Sequence, residues 1–217
     1  MWLGGDVCTN GPGVFGGAHR LRQLLQMAAD SCRKPIQELR VLDLGALEGL
    51  ASLEFARHGS TVVAVEGREG NAAKIRAAAE IVGVQLEVIV EDVRRLPELG
   101  LGRFDLVLCL GLLSPLDWPS IPPFLAAIAA AGDVVVIDTH LCAHPDTSFE
   151  HEGKTYVGTR YREYPSEEAA GSFESHPWSA IGNVESAWLT RESLTNLLAD
   201  TGFDSVVEGL HPRVGWQ

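Results

Sequence analysis

The chain has no run of Lys and Arg. Seventeen basic side chains stand against 29 Asp and Glu, a net charge of −12, and such a surface repels a phosphate backbone at long range. A nucleic-acid partner is therefore not expected. No apolar window approaches the ~18 residues that a membrane span needs, and MWLGGDVCTNGPG lacks the basic and then apolar blocks of a secretion signal. These absences set aside a membrane partner and export, and a cytoplasmic location is expected. Cysteine is scarce: Cys8, Cys32, Cys109 and Cys142 are scattered with no CxxC pair. That excludes zinc ribbons and points to reduced, structural thiols. With 217 residues, 46% of them apolar, a core can be buried without disulfides or a structural metal. A small or neutral substrate fits this balance.

The glycine-rich start, with Asn10 and Pro12, reads as a flexible arm without regular structure. From Phe15 to about Arg33, residues Ala18, Leu21, Leu24, Leu25 and Ala28 recur every three or four positions, the apolar face of an amphipathic helix, and Pro35 marks its end. Residues 1–37 are thus read as an N-terminal arm and helix, and 38–217 as the main domain. There RVLDLG, LASLEFARHG, TVVAVEG, NAAKIRAAAEIVG, QLEVIVED, FDLVLCLG, PPFLAAIAAAG and DVVVIDTH alternate β-branched runs with helical ones. This is the pattern of βαβ units, an α/β fold with a doubly wound, mostly parallel sheet. Low polarity in the runs fits strands covered on both faces.

Residues 141–189 interrupt that rhythm without a clear period. All three tyrosines of the chain fall there, with Trp178 and Trp188, and such rings need a surface to pack on. The segment after strand five therefore reads as a long insertion acting as a lid or substrate platform. Beyond it, Thr190 is placed to cap a helix over RESLTNLLAD, Gly202 to end it, and FDSVVEGL to form the last strand.

The segment VLDLGALEGLASLEFA sets Asp43, Gly45 and Gly49 where a strand turns into a helix. A dinucleotide enzyme needs bare backbone beneath its diphosphate at that corner. Here Leu47 and Glu48 occupy the turn, and a ligand with an amino group and a sulfonium tolerates carboxylates better than a diphosphate does. In DLGALEG, a relaxed form of an acidic residue followed by GxGxG, the chain resembles the class I S-adenosylmethionine-dependent methyltransferases. Glu66 at the end of VVAVE, Asp92 after Glu91, and FDLVLCLGLL match the family's later stations in order.

The resemblance implies a Rossmann-like methyltransferase sheet with S-adenosyl-L-methionine as cofactor. Asp43 and the backbone near Gly45 would hold the methionine part, Glu66 the ribose, and Asp92 with Val93 the adenine edge. Leu110, Gly111 and Leu112 would line the way to the sulfonium, and Ala46, Leu47, Gly49, Gly67, Arg68 and Glu91 complete the cofactor set. The family's sheet has seven strands, the last two an antiparallel hairpin. Only HPRVGWQ follows FDSVVEGL, so the seventh strand is expected to be missing or cut short. Truncation of the chain, a strand begun by RVGWQ and lost, or a second subunit over that edge, as in a homodimer, would each explain this.

Methyl transfer to a hydroxyl or amine is an in-line displacement in which the protein aligns the nucleophile and excludes water. DVVVIDTH ends in Asp138 and His140 at the carboxyl edge, where open α/β sheets bind ligands. His140 is the first candidate for the base that takes a hydroxyl proton, although a histidine there can also simply cap backbone groups. No spacing places His144, His151 or His176. Asp138, His140, His144 and Asp146 mix carboxylate and imidazole as a divalent ion would require, yet without fixed ligand spacing, and no metal is expected. Tyr156, Arg160, Tyr161, Trp178 and Asn183 are read as substrate-lining, and Trp188 as core. His19 and Arg20 either point inward or join a solvated face. The expected function is S-adenosylmethionine-dependent methylation of a small molecule in sugar or natural-product metabolism. Two alternatives remain: a tRNA-modifying enzyme of the same fold, to which LCLGLLSPLDWP is similar, and a non-catalytic cofactor-binding protein.

Overall fold

Short β-branched runs alternate with helices throughout the computed structural model of the chain, which describes residues 2–4, 7–8, 17–176 and 179–209. In chain order the elements are β1 (Trp2–Gly4), β2 (Val7–Cys8), α1 (Gly17–Ser31), β3 (Arg40–Leu44), α2 (Leu50–Arg57), β4 (Thr61–Glu66), α3 (Glu69–Val82) and β5 (Glu87–Val90). There follow β6 (Phe104–Leu110), α4 (Ile121–Ala131), β7 (Gly132–Asp138), β8 (Thr147–His151), β9 (Lys154–Arg162), α5 (Glu167–Ala170), β10 (Glu185–Leu189) and α6 (Arg191–Asp200). The start of the chain departs from the expectation of an irregular arm, since β1 and β2 pair antiparallel. So short a pairing needs only backbone groups, which a count of glycines does not register.

Strands β5-β4-β3-β6-β7 form one sheet in that order, with every neighbouring pair parallel. The order reverses between β3 and β6, which makes the carboxyl ends of β3, β4 and β6 the place where such a sheet receives a ligand. On one face Val41, Val62, Leu106, Leu108 and Val136 pack against Leu24 and Ala28 of α1 and Ala51 and Phe55 of α2, while Ala64 meets Ile75 of α3. On the other, Leu42, Leu44, Val63, Val65, Val107 and Cys109 meet Phe124, Leu125 and Ile128 of α4 and Leu197 and Leu198 of α6. Each fully buried side chain of this size contributes roughly 1.5–3 kcal/mol. Burial also pushes the Cys109 thiol up to about 12, which leaves it inert.

The insertion is more regular than its sequence suggests. Strands β8 and β9 form a hairpin whose two turn residues, Glu152 and Gly153, both have positive φ (50° and 75°), as the twist of a two-residue hairpin demands. Strand β10 joins β9 antiparallel, giving the order β10-β9-β8. Phe149, Tyr156, Ala187 and Leu189 turn inward to the α4 side of the core. Thr190 caps α6 as expected, its side chain accepting from Ser193 N–H. Among the described residues the expected last strand does not form: residues 203–209 carry no strand, and Val206 and Val207 are 46% and 92% exposed, so no described layer covers this apolar pair. RVGWQ lies outside the described residues. Among those described, no helix is long and apolar enough to cross a membrane.

Candidate functional site

The corner after β3 is built from left-handed backbone. Gly45, Leu47 and Gly49 have φ of 63°, 55° and 77°, so Leu47 keeps the backbone that glycine would supply at its position. For a leucine this conformation costs about 1–2 kcal/mol. It is held in place by the Leu47 N–H, which donates to Glu66 Oε2 at 2.8 Å. Gly45 is required by close approach as well, because a Cβ there would lie 2.8 Å from Leu112 Cδ1. Gly49 opens α2 as its N-cap.

Two carboxylates are buried at this corner. Asp43, 3% exposed, accepts from Ser52 N–H at 3.1 Å and from the Ser52 hydroxyl. Burial pushes its carboxyl up to about 6; the Ser52 donors oppose that rise and the nearby Glu66 adds to it. Glu66 is equally buried and accepts from Arg68 N–H at 3.0 Å and Asn71 Nδ2 at 3.3 Å, besides Leu47. Side by side, these groups favour a ligand that brings donors and positive charge, and they repel a diphosphate. After β5, Asp92 caps a short 3-10 helix, Val93–Leu99, accepting from Arg94 N–H at 2.9 Å and pairing with the Arg94 guanidinium. Glu91 accepts from Asp92 N–H and pairs with Arg95, while Val93 is core.

At the end of β6, Leu110 leads into Gly111, whose N–H donates to Asp138 O at 2.7 Å, and then into Leu112 against Gly45. Asp138 pairs with Arg20 of α1 at the end of β7. Both groups are about half exposed, so the pair is worth at most ~1 kcal/mol to stability. His140 is exposed, with its ring 4.9 Å from that of Trp188. Tyr161 stacks on the same indole at 4.5 Å and 12°, and the indole N–H donates to Ser114 O at 2.9 Å. Trp188 was expected in the core. Its neighbours Ala187 and Leu189 take the core face of β10, and strand alternation turns Trp188 to the other side.

The remaining expected substrate residues do not converge. Tyr156 must be corrected: it is 2% exposed, lies 5.6 Å from Trp118, and donates its hydroxyl to Asp200 at 2.6 Å, so it is a core residue. Arg160 shares the inward face of β9 and stands 5.3 Å over Phe149, away from Tyr161. Asn183 donates to Pro115 O and Glu185 O at 3.0 and 2.9 Å, and its buried Oδ1 has no hydrogen-bond partner among the described residues. Trp178 lies outside the described residues. Among the described residues, no three His, Cys, Asp or Glu side chains are grouped to hold a metal ion. Ser52, Asn71 and Ile181 escaped the sequence reading. Ser52 could have been found, because it sits in the first turn of the helix that follows the glycines.

A family profile described as a methyltransferase domain matches residues 41–132. The crystal structure of the N-terminal domain of EvdMO1 with SAH bound gives a TM-score of 0.69 at 30% identity, covering 87% of this chain and 72% of that one. The same domain in the presence of SAH and D-fucose gives 0.73 at 30% identity, with coverages of 95% and 80%. The ubiquinone biosynthesis O-methyltransferase of Azorhizobium caulinodans is 35% identical over 77 residues, 36% of this chain and 30% of that enzyme. The chain thus matches under a third of that curated relative's length, and 42% of full-length EvdMO1.

Proposed function

The chain belongs to the class I S-adenosylmethionine-dependent methyltransferases, and from that premise we propose that it methylates a hydroxyl group of a small, sugar-like molecule. The residues present fit the cofactor. Asp43 and Glu66 are buried carboxylates suited to an amino group and to ribose hydroxyls, and in this cradle the glycine at position 45 lets Leu112 pack against the turn, where a Cβ would stand 2.8 Å from Leu112 Cδ1. Asp92 and Val93 would meet the adenine edge, and Leu110, Gly111 and Leu112 would flank the methionine portion. When bound, S-adenosylmethionine supplies a methyl carbon activated by its sulfonium.

One observation carries the assignment of the acceptor: an exposed imidazole, His140, tilted at 49° against Trp188 at the carboxyl edge that also bears Asp43 and Glu66. His140 accepts the proton that the acceptor hydroxyl gives up, and Asp138, held by Arg20, fixes the strand end that presents it. Tyr161 and Trp188 offer flat faces for an acceptor with an apolar ring side. The EvdMO1 domain examined in the presence of D-fucose supports a sugar-like acceptor, and the charge of −12 supports a small molecule over RNA.

The test is incubation with S-adenosylmethionine and a panel of deoxysugars, glycosides and amines, with methylated product read by mass spectrometry. Methyl ethers are expected from the hydroxylated members. His140→Asn should lower kcat by on the order of 10²–10⁴ while leaving SAH affinity unchanged. Methylation of amines alone, or an unchanged kcat, would refute the reading.

A further inference from the structure

Part of the insertion is built as a unit of its own and tied to the ends of β4 and β5. Tyr164, 3% exposed, packs with Ala170 and Ala180 and donates its hydroxyl to Ala180 O at 2.6 Å. Glu163 accepts from Ala180 N–H at 3.2 Å and from Ser186 Oγ at 2.7 Å. Two arginines make the tie. Arg68, 6% exposed, donates from Nε to Phe173 O at 2.9 Å and from Nη2 to His176 O at 3.0 Å and Ser179 O at 2.7 Å. Arg94 donates from Nη2 to Ile181 O at 2.8 Å while its guanidinium also grips Asp92.

The tie has a definite product. Ile181 is pressed onto Gly67, where a Cβ would lie 2.3 Å from Ile181 Cδ1. Gly67 stands between Glu66 and Arg68, and Glu91 O is also beside it, so Ile181 lies over the shelf between the two acidic stations. Burying a guanidinium on neutral carbonyls is costly, and here that cost fixes one apolar side chain over the carboxylates. We propose that Arg68 and Arg94 are positioning residues for the cofactor: they hold Ile181 as an apolar ceiling over the Gly67 shelf, against the nucleoside half of S-adenosylmethionine. The inference rests on the assignment of Glu66 and Asp92 to that half. It divides the insertion: Tyr161 and Trp188 serve the acceptor, whereas the Tyr164–Ala180–Ile181 unit serves the cofactor. Water excluded by Ile181 strengthens the hydrogen bonds that Glu66 and Asp92 offer to ribose and adenine.

The experiment is calorimetry of SAH and of 5′-methylthioadenosine, which has the nucleoside but not the amino acid, with the full chain and with Ile181→Ala, Arg68→Lys and their double variant. Ile181→Ala should weaken both ligands about tenfold with no change in the melting midpoint of the unliganded chain. Arg68→Lys replaces a planar fork by a point charge and should weaken both to a similar degree. Because both changes act on one side chain, the double variant should lose little more than either alone. Raised cofactor KM with unchanged kcat should accompany these losses. Unchanged affinity in Ile181→Ala, tighter binding because the side chain obstructs the shelf, additive losses, or weakened SAH with unaffected 5′-methylthioadenosine would each overturn the proposal. If Arg68→Lys fails to fold, Ile181→Ala decides alone. A wild-type chain that binds neither ligand would overturn the cofactor assignment together with the proposal.

Discussion

Replacing Asp43 by asparagine separates what the cradle does for function from what it does for folding. The folded carboxyl sits at about 6 instead of 3.8, chiefly through burial. The folded chain therefore holds this proton more tightly than the unfolded chain. The stability associated with it is fully present below about pH 4 and is lost as pH rises through 6. Above pH 6 the ionised group costs about 3 kcal/mol relative to an unshifted carboxyl, at about 1.4 kcal/mol per pH unit. Asp43→Asn keeps the shape and one oxygen to accept from Ser52 N–H and Oγ, and it removes the buried charge beside Glu66. Urea melts at pH 4, 5, 6 and 7.5 should find variant and wild type within about 1 kcal/mol at pH 4 and diverging above it. At pH 7.5 the variant should be more stable by up to about 3 kcal/mol, roughly 6–12 °C for a chain of this size. SAH affinity should fall in the same variant, because the charge proposed to face the amino group is gone. A variant less stable at pH 7.5, or a difference that does not change with pH, would refute the reasoning.

Two further outcomes follow from the geometry. Tyr156→Phe should cost about 1 kcal/mol, read as a drop of 2–4 °C in Tm, with kcat and acceptor KM unchanged. Burial and Asp200 hold that hydroxyl up to about 12, so the stability it contributes is lost only at higher pH, and the cost should be flat across neutral pH; a raised acceptor KM would return Tyr156 to the site. Gly45→Ala should lose both stability and SAH affinity, since it meets the left-handed penalty of about 1–2 kcal/mol and also Leu112 at 2.8 Å. Gly100→Ala, at φ 59° with nothing within 4 Å, carries only the first cost and should bind SAH normally; equal effects of the two on SAH binding would count against the cradle.

The parallel sheet was legible because its central strands are covered on both faces and so read as short runs with few polar residues, as in Val62 to Val65 and Leu106 to Leu110. The antiparallel insertion was not, although it alternates. In β9 the inward positions are Tyr156, Gly158 and Arg160, one aromatic, one glycine and one cation, and no hydrophobic period survives that choice. The hairpin left one readable mark, Glu152-Gly153 between His151 and Lys154, where a two-residue loop pairs the flanking strands. The run Val206-Val207 misled in the opposite direction: β-branched residues favour a strand only when a neighbouring strand and a covering layer exist, and both side chains stand exposed.

The site shows the same division between what a local pattern carries and what only packing decides. Asp43, Glu66 and Asp92 could be placed from the sequence because each lies at or just beyond the carboxyl end of a strand in a βαβ frame, and strand ends at a switch point converge by topology alone. Leu47 argued against the glycine turn, yet the turn survives, because a backbone bond to Glu66 holds leucine in the conformation that glycine adopts freely. The motif is thus a set of backbone angles, and a residue other than glycine satisfies it when a neighbouring carboxylate supplies the missing hold. Arg68 presents the converse case. Its place next to Glu66 suggested contact with the cofactor, but its reach exceeds that of its backbone, and the carbonyls that claim it come from Phe173, His176 and Ser179. Proximity in sequence placed its Cα at the site; only the folded insertion determines where its guanidinium goes.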